Sequence, residues 1–595
     1  MEKLSIKKKM AKTITVIGYG LLVIGIAACS DFSDYNEAPV DPTPSGNHTL
    51  WENISQNAQL SDFASLVKQA GFVDQLNTPR ALTVWAPVNG SFSVSDYQSL
   101  STNDLLTQFV KSHVAEYSHP ASGVLDERIH TLNEKSFIFA GDGSYTFDDI
   151  AISHANVPGN NGVMHLLSGA VRFYPNLYEY LSTAPGIDSL RNQFLRYELT
   201  YLDQDASVKG PMVNGAQTYI DSVVVTVNQL TNQLNARIQN EDSSYTFIMP
   251  TDEAFMKMYN KVEPYYNFIT TTTVNDVENY SSATDTKTKT ISVDAKYMAD
   301  SLTRRAIVRN LIYSNNDMYN QWVIGKGLYT DTLRSTTRNK FSNPQDLIEK
   351  YMVGEPQEMS NGYARLVDSL AFYPWETYCP ELVFETHRYL ASLFPASAQM
   401  NRQTIVMPDG SPLTSVFGPD TDIREYRYGW ISPGGDRAKP DFYVKLPDVK
   451  STTYNFYVVF LPTALLVGDE RPNWLNFQLS YCAANGKTAT YNFSKAYADS
   501  LLTGGTLPSI PSTVNANSAF TNDPQKTDTV FIGRFTFPVA YSGLGEDYYP
   551  SIRVTSPISV FSSQQLQTYT RDVRIAAFLL RPVELDEYEA EKMKN

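Results

Sequence analysis

Cysteine is nearly absent from this chain: there are three in 595 residues, at Cys29, Cys379 and Cys482. So few thiols exclude a disulfide framework and any Cys-x-x-Cys metal or redox pair. Cys379 and Cys482 lie far apart in sequence; they could pair in an oxidising compartment or stand as small buried residues. Basic charge is also in short supply. The 48 Lys and Arg face 63 Asp and Glu, a formal charge of −15. A phosphate backbone needs the opposite sign, which excludes nucleic acid as a partner. Catalytic signatures are missing as well: there is no Gly-x-Ser-x-Gly elbow, no His-Glu-x-x-His and no phosphate-binding glycine loop. No catalytic residue, metal ligand or cofactor can therefore be named, and a non-enzymatic protein is expected. Carboxylates that meet only in space are the enzymatic arrangement this leaves open.

Apolar runs long enough to cross a membrane are lacking too. The candidate, Ile14 to Ala28, is short for a span. Lys3, Lys7, Lys8, Lys9 and Lys12 precede it, and it ends in Ile26-Ala27-Ala28-Cys29. A basic start, a short apolar run and small residues before a cleavage point form a secretory signal over 1–28. The cysteine that follows makes it resemble the lipobox of bacterial lipoproteins, which implies that Cys29 carries the lipid. Removing 1–28 takes away five lysines and one glutamate and carries the charge to −19. The lipid, not electrostatics, must then hold the chain to a membrane. Residues 29–47 form an acidic, proline-rich tether. Its acidic start resembles the export signal of surface-displayed lipoproteins in Gram-negative bacteria, and equally suits any polar linker.

What the chain does contain is a repeat. Residues 82–92 read LTVWAPVNGSF and 245–255 read YTFIMPTDEAF; each is followed by an echo, NGVMHLLSGAV at 161–171 and NGYARLVDSLA at 361–371. In each copy a β-type apolar run reaches a proline, Pro87 or Pro250, that cannot donate to a ladder. Asn89 or Asp252 then suits a turn or helix cap, and an aromatic follows, Phe92 or Phe255. Asn161-Gly162 and Asn361-Gly362 predict tight turns entering short strands. This order resembles the fasciclin domain, whose boxes look like T-x-F-A-P-x-N-x-A-F and N-G-x-I-H-x-I-D. The resemblance implies two tandem α+β modules, over 48–176 and 177–372, of a class that serves as adhesion or docking surfaces. The first copy has Ser112-His113 in the family's central Tyr-His segment and keeps His165 in the second box. The second has Leu311 and Arg365 at the histidine positions and retains Asp368. The boxes start 79 residues apart in copy one (82 to 161) and 116 apart in copy two (245 to 361). The Thr/Ser/Asp-rich run Thr270–Lys289 falls in the longer gap and reads as a solvated loop.

The remainder, 373–584, predicts an all-β sandwich resembling a jelly roll, with strands at 441–446, 454–461, 474–481, 529–537, 551–555 and 574–580 between glycine-rich turns. Residues 585–595 read as a charged tail or short helix. Six of the seven histidines (His48, His113, His119, His130, His154, His165) fall in the first copy. Their spacing places no metal set on one helix face, and hydrogen-bonded scaffold roles are expected. The acidic pair Asp126-Glu127 suits a solvated surface. In the β-rich region Tyr426, Tyr428, Trp430 and Trp474 lie near loops, with Asp420 and Asp422 close by. Aromatic faces beside acidic groups can hold a sugar ring; with 38 tyrosines in the chain, packing inside the sandwich is the alternative. Asp420-Thr421-Asp422 is too short for calcium, which takes about six or more oxygen ligands. The expected function is a lipid-anchored outer-membrane protein at the cell surface that docks a protein partner. A nutrient importer of the SusC/SusD type is the specific form, and glycan capture by the sandwich is the alternative.

Overall fold

The computed structural model describes residues 46–213, 215–320, 332–393, 399–406 and 425–594. The signal segment 1–28, Cys29, the tether to residue 45 and the Asp420/Asp422 pair lie outside the described residues. The chain divides into two compact units, one ending at Pro175 and one starting at Asn176.

The first unit is organised by a strand buried on both faces. β1 (Leu82–Pro87) is wholly buried and ends at its proline, as its sequence requires. β2 (Val114–Glu116), β3 (Val124–His130), β4 (Ser136–Asp142), β5 (Ser144–Phe147), β6 (Ile150–Gly159) and β7 (Gly162–Leu167) complete a sheet of order β2-β1-β7-β6-β5-β4-β3. β1 and β7 run parallel, Leu82 opposite Gly162 and Pro87 opposite Leu167. Because side chains alternate across a strand, Leu82, Val84 and Ala86 pack with Leu50, Phe63 and Leu66 of the helices Leu50–Gln56 and Ser61–Gln69. Trp85 on the other face packs with Phe139, Phe147 and Leu167. Burial of both faces explains the unbroken apolar run in the sequence.

The second unit repeats this arrangement. Its strands begin with β8 (Glu198–Val213), β9 (Ala216–Asn228), β10 (Tyr245–Pro250), β11 (Thr271–Asn275), β12 (Thr288–Ser292) and β13 (Ile312–Ser314). β14 (Leu333–Arg334), β15 (Lys340–Phe341), β16 (Gln357–Met359) and β17 (Gly362–Val367) follow. The sheet order is β13-β10-β17-β16, and β10 pairs parallel with β17 in the same register, Tyr245 opposite Gly362.

The Asn-Gly pairs do more than turn the chain. Asn161 accepts from Leu50 N at 2.8 Å and donates to Leu76 O and Thr78 O at 2.9 and 2.8 Å. Asn361 does the same for Leu177 N (2.9 Å), Ile238 O (2.7 Å) and Asn240 O (3.0 Å). Each amide thus pins the start of a helix to the loop before the parallel strand. Each glycine has positive φ, and a Cβ there would lie 1.9 Å from the carbonyl oxygen of Leu82 or Tyr245, so no side chain fits.

The remaining strands are β18 (Leu382–Glu385), β19 (Leu390–Leu393), β20 (Gln399–Val406), β21 (Glu425–Ser432), β22 (Asp441–Lys445) and β23 (Thr453–Phe460). β24 (Trp474–Cys482), β25 (Thr488–Asn492), β26 (Phe520–Thr521), β27 (Asp528–Thr536), β28 (Ser551–Thr555) and β29 (Val573–Pro582) close the series. They form two six-stranded antiparallel sheets. One is ordered β20-β21-β29-β23-β27 with β18 also on β29; the other is β19-β22-β28-β24-β25 with β26 also on β24. Phe477 of one sheet meets Phe578 of the other at 6.0 Å, inside a core that runs on without a break into the module of β10 and β17.

The run Thr270–Lys289 is not a solvated loop. It opens with β11, which pairs with β12 at and past its far end, and Thr272, Val274 and Val277 are buried. Val277 and Tyr280 pack on Tyr443 and Tyr549, covering one sheet's outer face. Glu278 accepts from Lys445 Nζ and Tyr549 Oη, both at 2.7 Å. Burial opposes its charge, yet these hydrogen bonds outweigh that and hold the carboxyl below its usual range. Polar composition misled here because the threonines lie on a ribbon whose alternate residues point inward. Residues 583–592 form a helix rather than a frayed tail: Asp586 and Glu589 pair with Arg581 at 2.9 and 2.7 Å, and Tyr588 packs on Trp375. Cys379 and Cys482 are both free and buried, so no bridge joins them.

Asn161→Ala and Asn361→Ala should each cost about 2–4 kcal/mol, because truncation leaves three backbone groups unpaired, two of them in buried hydrogen bonds. Chemical denaturation combined with local hydrogen exchange measures this; a cost below about 0.5 kcal/mol at either site, the level of an ordinary surface change, would contradict the pinning role.

Candidate functional site

The histidines are scaffold. His113 is fully buried; Nδ1 lies 2.7 Å from Phe109 O and Nε2 accepts from Val171 N at 3.0 Å, which fixes the proton on Nδ1. His165 faces Trp85 at 5.7 Å, donates from Nε2 to His119 O at 3.0 Å, and accepts at Nδ1 from Asn156 N. Burial pushes both imidazoles down to about 4. In the second unit Leu311 is buried where His113 would stand. Arg365 takes the other place, buried, with Nη1 donating to Ile348 O at 3.2 Å. Asp126 and Glu127 lie on exposed β3, where Glu127 pairs with His119 at 3.8 Å. Among the described residues no group of three His, Cys, Asp or Glu side chains could hold a metal ion.

Among the described side chains, Tyr428, Trp430 and Trp474 do not form one platform. Tyr428 is 3 % exposed, packed with Val459, Leu461 and Leu579 on the outer face of its sheet, and offers no ring to a sugar. Of the two readings left open for Tyr428, packing is the one found, because that outer face is apolar as well. Trp430 is half-buried; its Nε1 donates to Asp572 at 2.8 Å and the Arg574 guanidinium lies 4.7 Å from its ring. Trp474 lies on the opposite sheet and stacks on Tyr569 at 4.9 Å. The side chain of Tyr426 lies outside the described residues.

A feature the sequence reading passed over stands out in the second unit. Among the described residues β8 and β9, 16 and 13 residues long, pair only with each other. At about 3.3 Å per residue such a ribbon extends roughly 40–50 Å. Asn228 secures its base, donating to Phe194 O at 2.8 Å and to Tyr178 Oη at 2.9 Å. Leu199, Tyr201, Met212, Val213 and Val224 are each about half or more exposed. None of them belongs to the hydrophobic core of the unit. The β-branched run Val223-Val224-Val225-Thr226-Val227 after Gly215 was the available signal. A two-stranded ribbon has two open edges and, in this case, apolar residues along its surface. Proteins normally blunt such edges.

Residues 58–171 match the model of the fasciclin domain, so the first unit carries a fasciclin domain. No curated protein matches the chain. Among solved structures, a FAS1 domain pair from the insect cell adhesion molecule Fasciclin I matches at 14 % identity and TM-score 0.20, covering 55 % of this chain and 99 % of its own. The CBM22-1 xylan-binding domain of Paenibacillus barcinonensis Xyn10C matches at 12 % identity and TM-score 0.17, covering 34 % and 89 %. A Paenibacillus xanthan lyase matches at 10 % identity and TM-score 0.17, covering 46 % and 19 %.

The histidine geometry has a measurable consequence. An unfolded histidine takes its proton near 6.5, while His113 and His165 resist it down to about 4. Their contribution to stability is therefore complete above about pH 6.5 and is lost as the pH falls toward 4. NMR titration of the ring protons should give midpoints near 4; a midpoint near 6.5 for either would contradict the scaffold assignment.

Proposed function

We propose that this chain is a non-enzymatic, lipid-anchored protein of a Gram-negative outer membrane, facing the cell surface and docking a protein partner. Two fasciclin-like modules, 48–176 and 177–372, and a jelly-roll sandwich, 373–584, form the scaffold. Cys29 carries the anchor. The observation that carries this reading is the β8–β9 ribbon, with open edges and exposed apolar side chains. An extended partner strand can complete such an edge by main-chain hydrogen bonds while the apolar residues set specificity. The partner is a membrane-embedded protein within reach of the anchored chain, in the specific form a nutrient importer of the SusC/SusD type. The fasciclin domain in the first unit supports a role in adhesion or docking. No described helix is long and apolar enough to cross a membrane, so attachment falls to the lipid in this reading.

A second reading, glycan capture by the sandwich, is favoured by one observation. A cavity of about 610 Å³ is lined by Arg437, Asp441, Asn476, Asn515 and Ser556, a polar set suited to hydroxyl groups. Glycan arrays on the whole protein test it; blank arrays would remove it.

The triple change Tyr201→Ser, Met212→Ser and Val224→Ser should abolish co-purification with the partner after mild detergent extraction. The melting temperature should stay within about 2 °C, because these side chains lie outside the core. Undiminished co-purification would contradict docking through the ribbon. Protease treatment of intact cells should remove the wild-type protein, and complete protection would sink surface display.

A further inference from the structure

A cavity of about 570 Å³ in the second unit is lined by three cations from two separate elements. Arg305 and Arg309 come from the end of the helix Ala295–Val308 and the residue that caps it. Lys450 comes from the loop between β22 and β23. Tyr266 and Asp448 share the wall. In a chain of formal charge −15 this concentration is unusual, and the lack of partners more so. Arg304, the neighbour of Arg305, is held by Asp300 at 2.8 Å, and Arg553 by Asp441 at 2.7 Å. Among the described residues no carboxylate lies within ion-pair distance of Arg305, Arg309 or Lys450.

Lys450 makes the argument specific. Its residue is 9 % exposed, and a buried ammonium ordinarily has a counter-ion. Burial pushes its pKa down; the Cys379 thiol and Asp448 counter this in part, and Arg309 adds to it. Burial of Cys379 pushes its thiol up to about 11, so at neutral pH it carries no compensating charge. Among the described residues Asp448 is then the single anionic side chain on the cavity wall, against three cations. The negative end of the helix offsets part of the charge of Arg305 and Arg309, but Lys450 belongs to another element. The cavity is several times larger than a bare oxyanion and accommodates a group attached to one.

We infer that this cavity is a binding site for an oxyanion, a sulfate, phosphate or carboxylate group, held by Arg305, Arg309 and Lys450. Guanidinium groups fit such oxygens in bidentate fashion, and the ammonium adds a point charge. Two sources share this chemistry: a free inorganic anion, and the sulfate ester or uronate of an acidic saccharide. The site lies apart from the β8–β9 ribbon and stands whether or not that ribbon docks a partner.

The test uses the full-length mature protein. Crystals soaked in selenate should show an anomalous peak between Arg309 and Lys450. Calorimetric titration should show sulfate binding that weakens about ten-fold or more in Arg305→Gln/Arg309→Gln and in Lys450→Gln. A chondroitin-sulfate disaccharide titrated alongside separates the sources. Binding markedly tighter than that of sulfate, and lost in the same variants, assigns an acidic saccharide; equal binding assigns the free anion. The selenate arm needs no variant, so a misfolded variant leaves the test intact. A cavity free of selenate, or variants that bind sulfate as the wild type does, would overturn the proposal.

Discussion

Two pairs of parallel strands govern this molecule. Parallel neighbours cannot be joined by a tight turn; the chain must leave the sheet and return by a crossover. β1 pairs with β7 and β10 with β17 in identical register, and in both cases a buried asparagine amide and a side-chain-free glycine set that register. Once the pair is fixed, the crossover between its strands is free to vary. The first unit spends its crossover on the strands β2–β6. The second spends its longer crossover on the β11–β12 ribbon and its buried contacts.

That divergence has structural consequences. Glu278, Val277 and Tyr280, all within the second crossover, reach Lys445, Tyr443 and Tyr549 on the sandwich. Ser451 of the sandwich also donates from Oγ to Pro264 O at 2.9 Å, and Asn267 from Nδ2 to Pro538 O at 2.7 Å. The module and sandwich therefore share one core instead of being linked as beads. The cavity lined by Arg305, Arg309 and Lys450 exists only because of this junction, since each side supplies part of its wall.

Much of this could be read from the residues. The apolar runs ending in Pro87 and Pro250 are β1 and β10, and all six strands expected in the sandwich are present. Ser551–Thr555 agrees to the residue; the others are shifted by one or two at an end. These segments were legible because burial imposes a periodicity and turn residues bound it. Three things were not legible. The β8–β9 ribbon packs against no core, so no burial pattern bounds it and the β-branched run 223–227 is its sole mark. Tyr428 stayed open between a surface ring and a packed one, because alternation gives its face but not what covers that face. The cationic cavity joins residues more than a hundred positions apart, brought together by the fused core alone.

The central claim is that the module of β10 and β17 and the sandwich form one cooperative structure. Denaturant-dependent hydrogen exchange on the intact protein tests it most directly. The account predicts that the slowest amides of residues 245–250 and 362–367 open with the same free energy and the same denaturant dependence as those of 454–460 and 573–580. Two separate free energies, with the sandwich protected after the module has opened, would contradict it.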